Sequence, residues 1–174
     1  WNTADGAAFP EFSQHHHVIE PFDIPNTWVK FRSCDYGYSS YSAVLWYAIN
    51  PVNDQLVVYR ELYVSKHTGV DLALKVLELE KNERIQYGIM DSSVWSTRGQ
   101  TGPTIAEEMI GVNCRWRPSD RSNGSRTHGK NRLHELLKIN DIDGEQVPGI
   151  VFFNTCRQII SDLPVIPTSP DGDD

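Results

Sequence analysis

The sequence is poor in cysteine, in basic charge and in long apolar runs, and each shortage excludes a class of protein. Its 174 residues hold only three cysteines, Cys34, Cys114 and Cys156, widely spaced and with no Cys-x-x-Cys pair. A scattered, odd set of this kind argues against a disulfide framework or a zinc site and points to a reducing compartment. No apolar run reaches the roughly 18 residues of a membrane span, and the polar N-terminus is no signal peptide, so a soluble intracellular domain is expected. Lys plus Arg number 16 against 23 Asp plus Glu, a net charge of −7. Taken whole, that balance argues against a protein that coats nucleic acid, because phosphate binding runs on surplus cations. A local basic face stays open. There is no Gly-x-Ser-x-Gly and no cysteine with a credible histidine partner, so covalent acyl chemistry is unsupported. Internal repeats and low-complexity tracts are missing as well. So is an initial methionine: the chain opens at Trp1, as expected of a piece of a longer protein.

What is present is enough for one globular domain, with 39% hydrophobic residues. Residues 1–28, broken by Pro10, Pro21 and Pro25, read as an extended N-terminal arm or connector. β-branched and aromatic content marks strands at Val29–Tyr36, Ser42–Ile49 and Gln55–Val64, with Asn50-Pro51-Val52-Asn53-Asp54 as a hairpin turn. A helix follows from Thr68 or Gly69, with Val70, Ala73, Leu74 and Leu77 on its apolar face. Then come a strand at Arg84–Met90, a helix after Pro103, a strand at Val112–Trp116 and a helix at Lys130–Lys138. A strand at Ile150–Phe153 and a helix at Thr155–Leu163 close the chain. Three antiparallel strands followed by helix–strand alternation predict an α/β fold: a mixed sheet with helices on both faces. That is the order of RNase H-like nucleases and integrases.

Two acids stand out against this frame. Asp35 ends the first strand beside a glycine-containing loop, and Asp91 directly follows the apolar strand Gly88-Ile89-Met90. Strands one and four are neighbours in the predicted order, which sets the two carboxylates about 5 Å apart, the inter-strand spacing. Carboxylates that close repel unless they share a proton or a cation. Oxygen-only ligands suit Mg²⁺ or Mn²⁺, and two such ions about 3.5–4 Å apart drive in-line phosphodiester hydrolysis. Alone, Asp35 reads equally well as a strand-end turn cap, and the pair is more telling than either member. Glu61, on the third strand, either projects to the same end or pairs with Arg60 or Lys66 on a solvated face, the reading its neighbours favour.

Residues 114–132 carry the charge anomaly: six Arg or Lys against one Asp, a local +5. Arg115, Arg117, Arg121, Arg126, Lys130 and Arg132 sit on what reads as a flexible Gly/Ser/Asn loop, placed to grip a phosphate backbone or merely to be solvated. Three other patterns are decoys. Gly124 to Asn131 matches a phosphate-binding loop except that Asn131 stands where Ser or Thr binds Mg²⁺. Asp141-Ile142-Asp143-Gly144 lacks the spaced Glu of a calcium loop and reads as a turn. His15-His16-His17 would point in alternating directions in an extended arm.

Gly6-Ala7-Ala8-Phe9-Pro10-Glu11-Phe12, His17-Val18-Ile19, Pro25-x-x-Trp28 and Asp35-Tyr36-Gly37-Tyr38 resemble the start of the nuclease domain in large terminase subunits of tailed phages. Tyr59-Arg60-Glu61-Leu62-Tyr63, Met90-Asp91-Ser92-Ser93, Gly129 to Leu133, Asp143 to Gly149 and Phe153-x-x-Cys156 continue the resemblance, in order, over nearly the whole chain. The resemblance implies an RNase H-like nuclease domain over 29–174. Its acids, Asp35 and Asp91 by position, would hold two Mg²⁺ or Mn²⁺ ions and cut concatemeric double-stranded DNA. It implies an upstream ATPase domain in the parent chain, portal protein and small terminase subunit as partners, no membrane, and work in the host cytoplasm outside the finished virion. One departure matters: the family's last metal-binding acid lies on a C-terminal helix after a run of acids, and Asp171-Gly172-Asp173-Asp174 resembles only that run. The third acid is therefore expected beyond Asp174. Two alternatives remain: a non-catalytic RNase H-like module that docks DNA or portal, and a resolvase-type nuclease on the same fold.

Overall fold

Nine strands and five helices make up the computed structural model, which describes residues 6–97 and 101–168. The helices Gly69–Glu80 and Ile105–Gly111 open on capping boxes, and alternating burial marks the strands Val29–Asp35 and Tyr41–Ile49. The tail acids Asp171, Asp173 and Asp174 lie outside the described residues. In chain order the strands are β1 (Val18–Ile19), β2 (Val29–Asp35), β3 (Tyr41–Ile49), β4 (Leu56–Ser65), β5 (Tyr87–Met90), β6 (Arg117–Pro118), β7 (Ile139–Ile142), β8 (Glu145–Pro148) and β9 (Ile150–Phe153). The helices are α1 (Gln14–His17), α2 (Gly69–Glu80), α3 (Ile105–Gly111), α4 (Ser125–Leu137) and α5 (Arg157–Asp162). β7 and β8 form a separate antiparallel hairpin, and the other seven strands join in one mixed sheet in the order β1-β9-β4-β3-β2-β5-β6. The mixed α/β class predicted from the order of elements is what is found. Among the described residues no helix is long and apolar enough to cross a membrane.

The backbone divides into two compact units. One comprises residues 25–46 and 62–120, and its framework is β2, β5 and β6 in parallel. Thr68 starts α2 with a capping box: its hydroxyl accepts the Asp71 N–H, while the Asp71 carboxylate accepts from Thr68 N–H and O–H. Those bonds, the Thr68 hydroxyl first, hold the Asp71 carboxyl below its ordinary range. Leu72, Ala73 and Val76 are the buried stripe of α2, one position round from the expected face, and Leu74 is exposed. The reason is Glu80, which continues that stripe because it has a buried partner, Arg32 (3.0 Å). α3 opens on a second capping box, Thr104 with Glu107, and lies so close to α2 that a Cβ on Gly69 would sit 2.9 Å from Ile105 Cγ2. The strand expected at Val112–Trp116 is displaced to Arg117–Pro118. Asn113 turns left-handed (φ 68°) directly after α3, so Cys114 and Trp116 are buried by packing and not by a ladder.

The other unit comprises residues 1–24, 47–61 and 121–174, of which those from Gly6 to Thr168 are described. β9 lies between β1 and the start of β4, parallel to both, and all four of its side chains are buried. Within the segment expected as an extended arm, Gln14–His17 form a helical turn and Val18–Ile19 pair with Phe152 and Phe153. His17 is fully buried: Nε2 lies 2.9 Å from the Leu137 carbonyl and Nδ1 3.0 Å from the Ser13 N–H. That excludes the three-histidine cluster as a common metal site. Between β3 and β4, Asn50 and Asn53 side chains accept the N–H groups of Val52 and Gln55, the hairpin turn the sequence predicts. Gly149 directly precedes β9, at a point where a Cβ would lie 3.0 Å from the Leu136 carbonyl.

Candidate metal centre

β2 half-buries one side and fully buries the other, with Lys30, Arg32 and Cys34 on the buried side and Asp35 exposed at its end. β5 runs parallel to it in the register Phe31↔Tyr87, Arg32↔Gly88, Ser33↔Ile89, Cys34↔Met90. The next residue on each chain is an acid. Asp35 and Asp91 are therefore carried to the same end of two adjacent strands, where strand spacing is about 4.8 Å. β5 stops there because Asp91 caps a 3-10 turn, Ser92–Trp95: its Oδ1 accepts the Ser93 N–H at 2.8 Å. After Asp35 the chain is pinned by Tyr36 Oη donating to the His67 carbonyl (3.1 Å). Ser42 Oγ then accepts the Gly37 N–H (3.0 Å) and donates to the Gly37 carbonyl (2.8 Å). Only glycine fits at 37, since a Cβ would lie 2.1 Å from Ser40 Oγ and 2.8 Å from the Tyr41 carbonyl.

Both acids wall an open hollow of about 400 Å³ together with Ser33, Ile89 and Ser119. Ser119 is drawn in by its N–H, which donates to the Met90 carbonyl at 2.8 Å. Among the described residues the Asp35 carboxylate takes no hydrogen bond and no ion pair, so none of them neutralises it. Cys34 touches the same hollow, but burial above all, and then the Asp35 charge, push its thiol far above the ordinary range. It offers no thiolate, and the available donors are hard oxygens, which suits Mg²⁺ or Mn²⁺. Burial, and next Glu108, raises the Tyr36 phenol likewise. Among the described residues no group of three or more acids, histidines or cysteines forms a metal cluster. The pair would leave a divalent ion most of its positions for water and substrate oxygens.

Glu61 is placed differently from its expected alternatives. Its two oxygens accept the N–H groups of Gln158 (2.9 Å) and Ile159 (2.7 Å), capping the start of α5. Burial, and then the Glu61 charge, raise the Cys156 thiol to about 12. The six cations of the basic segment do not share a loop. Arg115 and Arg117 fall in the unit of 25–46 and 62–120, on the approach to and within β6. Arg121 precedes α4 in the other unit, and Arg126, Lys130 and Arg132 stand on α4, which begins at Ser125. Arg132 lies 3.4 Å from Glu135. Helix from Ser125 onward also disposes of the phosphate-loop match. Ser119 and the Ser93 N–H escape sequence reasoning, because Ser119 follows a strand that the sequence places five residues early.

No sequence-family model matches the chain, and comparison with curated proteins finds no match. Solved structures do match. The nuclease domain of the P22 large terminase superposes with a TM-score of 0.66 at 16% identity, covering 92% of this chain and 79% of that one. The large terminase nuclease of thermophilic phage G20c, solved with bound magnesium, gives 0.60 at 14% identity, over 92% and 80%. A cobalt-bound form of the same nuclease matches as well. The large terminase of another thermophilic bacteriophage, in complex with ADP, gives 0.70 at 13% identity; the match covers 91% of this chain but 36% of that longer one. The chain therefore has the RNase H-like fold of large terminase nuclease domains.

Proposed function

We propose that this chain is the nuclease domain of a DNA-packaging terminase, a metal-dependent endonuclease that cuts concatemeric double-stranded DNA. The observation that carries the reading is the register of β2 and β5, which presents Asp35 and Asp91 side by side in one open hollow. Two adjacent carboxylates, one of them without a partner among the described residues, are an unfavourable arrangement until a cation joins them. Asp35 and Asp91 would hold the divalent ions of the two-metal arrangement the resemblance implies, whose chemistry there would be to activate water and neutralise charge on a phosphoryl oxygen. The protein's own contribution is positioning. Ser93 N–H fixes one Asp91 oxygen, the Gly37–Ser42 pair holds the loop beyond Asp35, and the buried Cys34 thiol stays neutral and out of the ligand set. Magnesium in the G20c nuclease and ADP in the longer thermophilic-phage terminase support the divalent ion and an ATPase region in a parent chain. Mn²⁺, portal protein, the small subunit and a place in the host cytoplasm belong to the same proposal.

With Mn²⁺ the protein should convert supercoiled plasmid to nicked and linear forms. Asp35→Asn should abolish that conversion and weaken Mn²⁺ binding, with the melting temperature unchanged or slightly raised as repulsion is relieved. Undiminished cutting by Asp35→Asn would sink the assignment. The docking-module reading is favoured by one observation, the lack of a third acid beside the pair among the described residues. It predicts no Mn²⁺ binding at Asp35 and Asp91 at all.

A further inference from the structure

We propose that two adjoining hollows at the other end of β5 form a phosphate-backbone trough, in which Arg84, Arg115 and Arg117 hold the DNA strand presented to the acid pair. The inference rests on the nuclease reading for its choice of polyanion. The hollows, about 450 and 350 Å³, share Gln86, Tyr87 and Arg115; Arg84 belongs to the first and Arg117 to the second. The acids around them are engaged: Glu80 with buried Arg32 and Trp46, Glu83 at 3.4 Å from buried Lys30. Of the cations, Arg32 and Lys81 are engaged as well, Lys81 with Glu78 at 2.6 Å. Three arginines are not. Among the described residues the exposed side chains of Arg84, Arg115 and Arg117 meet no carboxylate. In a chain of net charge −7, three guanidiniums around adjoining hollows with no carboxylate partner among the described residues are a site for an anion and not a solvated average.

The geometry favours phosphodiesters. The Arg117 guanidinium lies over the Tyr87 ring, 5.5 Å from its centroid, and Tyr87 stacks on Phe31 at 5.1 Å with 11° between planes. A guanidinium rested on an aromatic face keeps its donor fork turned outward, and that fork matches phosphate oxygens two at a time. β5 links this trough to the acids. Tyr87 precedes Asp91 by four residues, ~13 Å at about 3.3 Å per residue. That is roughly four base steps along one strand at about 3.4 Å each. A strand gripped in the trough therefore reaches the acids without leaving this unit, which makes Arg84, Arg115 and Arg117 positioning residues.

The test is DNA binding by the full chain in EDTA, so that no cutting occurs, using a short labelled duplex over a range of salt concentrations. Each lost phosphate contact lowers the slope of log affinity against log salt by about 0.9. Arg115→Ala should show one such step, and Arg84→Ala with Arg115→Ala and Arg117→Ala together roughly three of them, ~2.7. Lys75→Ala, an exposed cation on α2, should leave the slope unchanged. Tyr87→Ala should weaken binding with little change in slope, since it removes the rest for Arg117 and no charge. An unchanged slope in the triple variant, or an equal loss from Lys75→Ala, overturns the proposal. Should the triple variant fail to fold, the single Arg115→Ala step decides. The losses should persist in an Asp35→Asn background. A protein that binds through the trough and never cuts would overturn the nuclease reading and leave the trough standing.

Discussion

Replacing Glu80 by alanine should unfold this protein more readily than any surface change, because it strands a charge. Glu80 is 8% exposed and its partner Arg32 5%. One carboxylate oxygen accepts Arg32 Nη1 at 3.0 Å, and the other accepts Trp46 Nε1 at 2.7 Å. The same guanidinium donates through Nη2 to the Arg115 carbonyl (2.9 Å) and lies 4.2 Å above the Trp116 ring. Glu80→Ala leaves that guanidinium buried without a counter-charge and the indole N–H without its acceptor. Breaking a buried pair from one side costs about 3–5 kcal/mol. An orphaned neutral donor adds about 1–3 kcal/mol where water cannot reach it. Water can reach part of this network, since Glu80 and Arg32 border the 450 Å³ hollow. The two penalties therefore do not sum, and about 3–4 kcal/mol is expected. At an m-value of about 2 kcal/mol/M, the urea midpoint should fall by roughly 1.5–2 M. Combining Glu80→Ala with Arg32→Met removes the charge as well, and should restore a large part of the loss. A loss below about 1 kcal/mol for Glu80→Ala alone would refute the reasoning, since it would mean the guanidinium is as well solvated without its partner as with it.

Glu61→Ala should lower stability by about 1–2 kcal/mol, as loss of a helix cap does, and leave Mn²⁺ affinity unchanged; a loss of metal binding would instead make Glu61 a ligand. The glycines separate by their surroundings. Gly88→Ala sets a Cβ 2.7 Å from Trp116 and should cost about 1–3 kcal/mol by overpacking. Gly129, exposed in mid-α4 with nothing within 4 Å, should gain about 0.5–1 kcal/mol as alanine. Thermal melts of the two variants check both signs, and a stabilising Gly88→Ala or a destabilising Gly129→Ala counts against the packing described.

What the sequence shows and what it hides follow from the range of the interactions involved. β2, β3 and β4 are legible because each is a run of β-branched and aromatic residues closed by turn residues, and Asp35 and Asp91 are legible because an acid ending an apolar strand breaks its pattern. Their pairing needs only the predicted strand order. β6 is displaced from its expected place because Val112 to Trp116 is apolar enough for a strand, while the left-handed turn at Asn113 that prevents one leaves little trace. The start of α4 reads as a loop because Gly124, Ser125, Thr127 and Gly129 are poor helix formers, and its first apolar residue is Leu133. Asp143-Gly144 reads as a turn and is one, with φ 54° and 85°, but the strands on either side are polar and short. The role of Glu61 is beyond reach for a different reason. Its partners lie 97 and 98 residues away, and no local pattern announces a cap delivered by tertiary structure.

Net charge, which on a whole-chain count speaks against a nucleic-acid partner, is a poor guide here because the acids are not equivalent. In the unit carrying the candidate centre, Glu80 and Glu83 are matched to buried cations, and Asp71 and Glu107 lie on helix N-termini, whose partial positive charge offsets theirs. In the other unit Glu61 caps α5 and Glu11 meets His134 at 2.9 Å. Glu11 apart, whose histidine partner carries charge only when protonated, each of these carboxylates is compensated within a few ångströms, so its field at a distance is weak. Asp35 is the contrast: exposed, beside another acid, and without a protein partner among the described residues. Arg84, Arg115 and Arg117 are its counterpart in the opposite sign. The uncompensated charges of this unit thus include an acid pair at one end of β5 and a cation set at the other. A cation beside a phosphodiester satisfies the first and the flanking phosphates satisfy the second, so one DNA strand with its metal would relieve both.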